Sequence, residues 1–154
     1  MAQYSLYHLV GAMLVLILLS AWVSASETAL LSPNRYRLRH LAENGDADAA
    51  RTQDVLQRPD RFIGLMILGN QFVNIVLTQI ATLATLQFLG EDSLVVTTLA
   101  ITLVIVFFGE LLPKTAAAMH AERIALPSSR VLGPLMRLCL PLIAALNGLA
   151  RLLV

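Results

Sequence analysis

Three long apolar stretches separated by polar intervals dominate the chain. The first lies within 5–31, where LYHLVGAMLVLILLSAWV precedes the small, polar SASETALLS, and Pro33 marks its end. The second covers 62–89 and is unusually rich in Gly, Asn, Gln and Thr; the turn Gly90-Glu91-Asp92-Ser93 leads to the third, 94–115, thick with Val, Ile, Leu and Thr. At 1.5 Å per helical residue, a hydrocarbon core of ~30 Å needs about 20 residues, so each stretch is long enough to cross. The pattern predicts an all-α integral membrane protein of three transmembrane helices, a single membrane domain over 1–154. Between the first two spans, 34–61 is of mixed charge with a helix-friendly middle (DADAARTQDVL), which predicts a helical loop. The last segment, 120–154, carries Arg130, Arg137 and Arg151 at multiples of seven, with Pro127, Pro134 and Pro141 at the same interval. Prolines so spaced kink or divide a helix. The expectation is short amphipathic juxtamembrane helices lying in the inner interface, their arginine heads among the headgroups. A fourth crossing helix is the competing reading.

Composition agrees with lipid as solvent. Of the 154 residues, 57% are hydrophobic and 14% charged, with a mean hydropathy of +0.73. A soluble domain carries about 45–50% apolar and about 25% charged residues. The net charge of +1 says little, but its distribution says much. Arg35, Arg37, Arg39, Arg51, Arg58 and Arg61 lie between spans one and two, and Lys114, Arg123, Arg130, Arg137 and Arg151 lie at the inner end of span three or beyond it. The turn at Gly90 and the N-terminal tip have no basic residue. The positive-inside rule therefore predicts an external N-terminus and a cytosolic C-terminus in the cell (inner) membrane, which an odd number of spans satisfies. The N-terminal stretch lacks the basic region and cleavage site of a secretory signal. The single Cys139 allows no intramolecular disulfide and reads as apolar packing.

Candidate chemistry lies in the groups that do not belong in lipid. Glu27 and Glu110 stand at membrane depth, where burying an ionisable group costs ~2.5–3.5 kcal/mol and usually serves a task. Glu110 reads as a cation ligand, or alternatively as a helix-end carboxylate paired with Lys114 at i+4. Glu27 reads as a structural partner for a basic group or as a participant in the site. Asn70 and Asn74 share one helical face with Thr78 a turn further on; interhelical hydrogen-bonding is their plainer role. Ser20, Ser24 and Ser26 are small enough simply to permit close helix packing. Depth favours a site: Asn70 lies roughly 12 Å inside span two, and Ser24 and Glu110 lie in the inner parts of spans one and three. Pro113, having no N–H, leaves the Gly109 carbonyl without its helical donor. Hydroxyl, amide, carboxylate and bare carbonyl suit a hard cation such as Mg²⁺, Na⁺ or Ca²⁺ and argue against zinc or copper. A single carboxylate among neutral oxygens would bind a divalent ion loosely enough to release it.

SASETALLS (24–32), ILGNQFVNI (67–75) and FGELLPKTAA (108–117) resemble, in order and spacing, the three signatures of the CorC/CNNM (cyclin M) magnesium-transporter membrane domain. The resemblance implies a homodimer with three crossing helices per protomer and a belt of juxtamembrane helices. It implies Mg²⁺ export coupled to Na⁺ entry, by alternating access around a largely dehydrated ion. The ligands it implies are the Ser24 hydroxyl, the Asn70 and Asn74 amides and the Glu110 carboxylate; the Gly109 carbonyl comes from the proline argument. Ser26 and Glu27 are the implied sodium-site or supporting residues, beside Pro113 and Lys114. Family members continue into a cytosolic CBS-pair region, so the chain is expected to be the membrane part of a longer protein.

A membrane anchor or sensor that binds Mg²⁺ without moving it is the alternative. An intramembrane enzyme is not expected: there is no HExxH, and His8, His40 and His120 are scattered near span ends. Neither is a nucleic-acid partner; the surrounding partner is the bilayer.

Overall fold

The computed structural model describes residues 5–154 and is helical throughout, with no strand among the described residues. Helix α1 (Leu6–Leu31) is followed by the short α2 (Arg35–Glu43) and α3 (Ala47–Leu56), then by α4 (Pro59–Phe88). A 3₁₀ turn, Glu91–Ser93, opens α5 (Leu94–Val104), which runs through a π-helical segment (Ile105–Leu111) into α6 (Leu112–Met119). Helices α7 (Ala121–Leu138) and α8 (Leu140–Leu153) complete the chain. Among the described residues, three helical stretches are long and apolar enough to cross a membrane, Leu6–Leu31, Pro59–Phe88 and Glu91–Met119; the bent pair Ala121–Leu138 and Leu140–Leu153 would make a fourth if it formed one span. The protein is thus an all-α integral membrane protein. The second stretch starts at Pro59, where a proline is tolerated in the first turn.

The chain divides into two compact units. The first contains α1 up to Ser24 together with Gly69–Pro113. Its core joins Leu77 and Ala81 of α4 to Ile101 and Ile105, with Met13, Leu16 and Ile17 of α1 packed against them. The threonines of α4 bond within their own helix: Thr78 donates to the Asn74 carbonyl at 2.8 Å, Thr82 to Thr78 at 2.9 Å and Thr85 to Ala81 at 2.8 Å. In lipid no water can satisfy a hydroxyl, and back-bonding to the preceding turn does so. Gly90, at φ +83, turns the chain between the spans, a conformation that only glycine adopts freely.

The second unit contains Ala25–Leu68 and Lys114–Val154. Asn34 and Asp46 cap α2 and α3, each side chain accepting from backbone N–H groups of the first turn, which satisfies donors the helix leaves open. Helix α3 packs along α7. The buried residues of α7, Ala125, Ser128, Ser129, Leu132 and Met136, recur at helical spacing, and Ala49, Thr52 and Val55 are the buried face of α3. Asp48 joins the two helices through Arg130, whose Nε donates to Oδ1 at 2.8 Å and whose Nη2 donates to Oδ2. That guanidinium holds the Asp48 carboxyl below its usual range.

The heptad prolines behave differently from expectation. Pro127 and Pro134 lie inside the continuous α7 and do not divide it. Both are exposed, so the carbonyls they leave without a donor, four residues back at Arg123 and Arg130, belong to the outer side of a helix held from its buried side. Only Pro141 coincides with a break. It sits in the first turn of α8, and α7 and α8 meet at Cys139 with a bend of 70°.

Candidate functional site

Within the first unit, three helical segments bring polar groups together. From α1 comes Ser20, fully buried. From α4 come Asn70 and Asn74, one turn apart on one face, both half-buried. From the π-helical segment come Gly109, buried, and Glu110, half-buried. The Ser20 hydroxyl donates to Asn74 Oδ1 at 2.8 Å and lies 3.4 Å from Asn70 Oδ1. Asn74 Nδ2 in turn donates to Glu110 Oε1 at 3.1 Å. Asn74 therefore links the first span to the third.

At the Ser20 hydroxyl, acceptors outnumber hydrogens. Two amide oxygens approach one hydroxyl, which has a single hydrogen to offer, and a carboxylate oxygen stands on the other side of the same amide. Such a group of acceptors suits a cation, which can satisfy several oxygens at once where one hydrogen cannot. Among the described residues there is no group of three His, Cys, Asp or Glu that could hold a metal, so hydroxyl and amide oxygens with one carboxylate are the donor set in question.

Gly109 makes the approach of α1 possible. A Cβ added there would lie 2.9 Å from Ser20 Oγ and 3.5 Å from Ser20 Cβ, closer than a methyl group and a hydroxyl can pack. The π register supplies a further effect. The Leu112 N–H bonds to the Phe107 carbonyl, five residues back, and Pro113 has no N–H to give. Phe108 and Gly109 both lose their α-helical donors in consequence. Pro113 alone deprives only Gly109 of its donor; the bulge adds Phe108. π-Bulges occur frequently at functional sites.

The remaining expected residues have different surroundings. Ser24 is fully buried, one helical turn beyond Ser20, and its Oγ has no hydrogen-bond partner. The hydroxyl that bonds the asparagines is that of Ser20, which sequence reasoning had treated as a packing residue. Its signal was the i, i+4 relation to Ser24, which puts both on one face of α1. Ser26, Glu27 and Lys114 lie in the second unit. Ser26 Oγ donates to Ser128 Oγ at 3.0 Å, both buried. Lys114 Nζ lies 3.4 Å from Glu27 Oε2. The expected alternative of a Glu110–Lys114 pair is thereby corrected: the lysine takes the carboxylate of the first span, and Glu110 takes the Asn74 amide.

Comparison with known proteins adds the following. The profile of the Cyclin M transmembrane N-terminal domain (CNNM) matches residues 11–154. The UPF0053 inner membrane protein YfjD of Escherichia coli is 42% identical over 135 residues, which cover 88% of this chain and 32% of that protein. A UPF0053 protein of Haemophilus influenzae is 38% identical over 135 residues, again 88% of this chain and 32% of the relative. A polyamine export protein of Haemophilus influenzae is 30% identical over 134 residues, 79% of this chain and 31% of that protein. The chain spans about a third of the length of these curated relatives.

Proposed function

The chain belongs to the cyclin M (CNNM) transmembrane domain family, and from that premise we propose that it carries Mg²⁺ across the membrane, exporting it in exchange for entering Na⁺. The observation that supports this reading most is the convergence of the Asn70 and Asn74 amide oxygens on the Ser20 hydroxyl, with Glu110 bonded to the same Asn74 amide. In the proposed cycle, Mg²⁺ replaces the shared hydrogen as partner of those oxygens. Asn74 turns its Oδ1 to the ion, Glu110 exchanges the amide N–H for the metal, and Ser24 and the Gly109 and Phe108 carbonyls supply further oxygens. Mg²⁺ demands near-octahedral oxygen coordination, and one carboxylate leaves its charge only partly balanced, which favours release. Because the donors come from three spans, tilting one span against the others would dismantle the site and open it to either side, as alternating access requires.

The remaining elements of the proposal follow from charge and from family membership. The basic segments 34–61 and 114–154 face the cytosol of the inner membrane, α7 and α8 lie in its interface, two copies form a homodimer, and a CBS-pair region follows in the full-length protein. Ser26 and Glu27 are assigned to the Na⁺ path or to its support.

The polyamine export relative raises a second reading. A polyamine spreads several ammonium charges along its length and needs carboxylates distributed to match. The site described has one carboxylate, which favours a compact ion. Proteoliposomes loaded with Mg²⁺ test both readings. Protein-dependent Mg²⁺ efflux, abolished by Asn74→Ala and Glu110→Gln, is the expected result. Binding without efflux would identify an anchor or sensor, and efflux of spermidine but not Mg²⁺ would favour the polyamine.

A further inference from the structure

A second cluster of functional groups lies in the other unit, between α3 and α7. Arg51, Arg130 and Arg137 line a cavity of about 160 Å³ together with Asp54, Ser129 and Gly133. This volume is room for several water molecules or one tetrahedral oxyanion. Asp48 already engages two of the arginines: Arg51 through Nη1 at 2.8 Å, and Arg130 through Nε and Nη2. A guanidinium has five N–H donors, so Arg51 and Arg130 keep donors beyond those spent on Asp48. Arg137 is exposed and makes no ion pair among the described residues. Ser129 donates to the Leu126 carbonyl at 2.7 Å, which leaves its hydroxyl only as an acceptor.

We propose that this cavity binds the phosphate group of an anionic phospholipid. The charge sets the class of ligand. Three guanidinium groups and one carboxylate, Asp54, line the cavity, and Asp48 and Asp46 outside it offset part of the surplus, which leaves the lining weakly basic. That suits the single negative charge of a phosphodiester, whereas a phosphate dianion or a nucleotide polyphosphate would bring an excess that Asp54 repels. Planar guanidinium forks match phosphate oxygens in geometry. The apolar end of such a lipid has a place as well: Leu138, beside Arg137 in the chain, is 76% exposed, and Leu135 and Leu142 are also exposed. Basic pockets between helices at the cytosolic side of a membrane are suited to acidic headgroups. The inference rests on the interfacial placement of α7 proposed above and is independent of what the first unit transports.

Gly133 provides a clean test. A Cβ added there would meet nothing within 4 Å, so a side chain can branch from this lining position, and a large one takes up space that a ligand would need. Native mass spectrometry of the detergent-solubilised protein, titrated with phosphatidylglycerol or phosphatidylcholine, reads bound lipid directly. Wild type should retain phosphatidylglycerol in preference to phosphatidylcholine. Arg137→Gln should weaken that binding about tenfold, the size expected for one lost charge-assisted interaction, and Gly133→Trp should abolish it. Helical circular dichroism should be unchanged in both variants. Equal retention of phosphatidylglycerol by all three proteins would overturn the proposal. So would displacement of the lipid preference by glycerol phosphate at the same headgroup concentration, which would assign the cavity to a soluble anion. Neither readout involves Mg²⁺, so failure here leaves the transport reading standing, and failure of transport leaves this one.

Discussion

Asn74 and Glu110, on different spans and 36 residues apart, share a hydrogen bond of 3.1 Å in which the amide donates to the carboxylate. The other end of the same amide accepts from Ser20 at 2.8 Å. One side chain thus sets the orientation of the acidic group and of the first span. This is the pivot on which the proposed cation site turns.

Asn74→Ala removes both bonds and leaves a carboxylate and a hydroxyl without their partners. A loss of about 1–3 kcal/mol in stability is expected, together with loss of the thermal protection that Mg²⁺ confers. Asn70→Ala, whose oxygen makes only the 3.4 Å contact, should cost less stability and as much Mg²⁺ protection. Thermal unfolding with and without Mg²⁺ measures both, and intact protection in the two variants would remove the asparagines from the site.

Gly109→Ala places a methyl group 2.9 Å from Ser20 Oγ. The hydroxyl must move, and the Ser20–Asn74 bond is strained or lost. Ser20→Ala removes the colliding oxygen, so the double variant should recover much of the stability lost in Gly109→Ala while Mg²⁺ protection stays low. A double-mutant cycle in unfolding free energy checks the coupling, which for side chains in contact is about 0.5–3 kcal/mol. Simple additivity would show that the close approach is unimportant.

Pro113→Ala returns an N–H to the third span. The helix should gain stability, while the carbonyls of Phe108 and Gly109 become less available to an ion. Weaker Mg²⁺ binding in a more stable protein is the expected combination. Wild-type affinity would exclude both carbonyls as ligands.

Asp48 carries a pH signature. Its folded-state pKa is held below the ordinary 3.8, first by the hydrogen bond from Arg130. The folded state therefore favours the carboxylate. The stabilisation is fully present above 3.8 and is lost as pH falls through the lower folded value. At neutral pH Asp48→Asn should melt below wild type, and the gap should narrow on acidification beneath 3.8. A gap that is constant with pH would show that the Arg130 pairing does not depend on the charge of Asp48.

How far such features are legible in a sequence differs from one to the next. The run from Leu6 to Leu31 contains a single charged residue, Glu27, and must be a span whatever surrounds it, because hydropathy and length are properties of a segment alone. The helical character of 34–61 shows in the helix-friendly run 46–56, whereas the caps Asn34 and Asp46 and the turn at Gly45, φ +93, that divide it into α2 and α3 emerge only in the structure. Asn70, Asn74 and Glu110 could be singled out because polar groups in lipid need a reason. Their choice of partners could not be read in the same way. The spacing of Glu110 and Lys114 made a local pair plausible, yet Lys114 reaches Glu27. Ser20 and Ser24 are equivalent in the sequence, yet only Ser20 meets the asparagines.

Chain order alone therefore determined where helices run, which three stretches are long and apolar enough to cross, and which segments hold charge, since each depends on the solvation of residues close together along the chain. Tertiary structure decided the rest. The rotation of α1 about its axis selects one serine over another. The π register adds one residue to a turn and so changes which carbonyls lose a donor, and packing of α7 on α3 keeps a helix continuous through Pro127 and Pro134. These outcomes depend on how one helix surface fits another. No single segment contains that information.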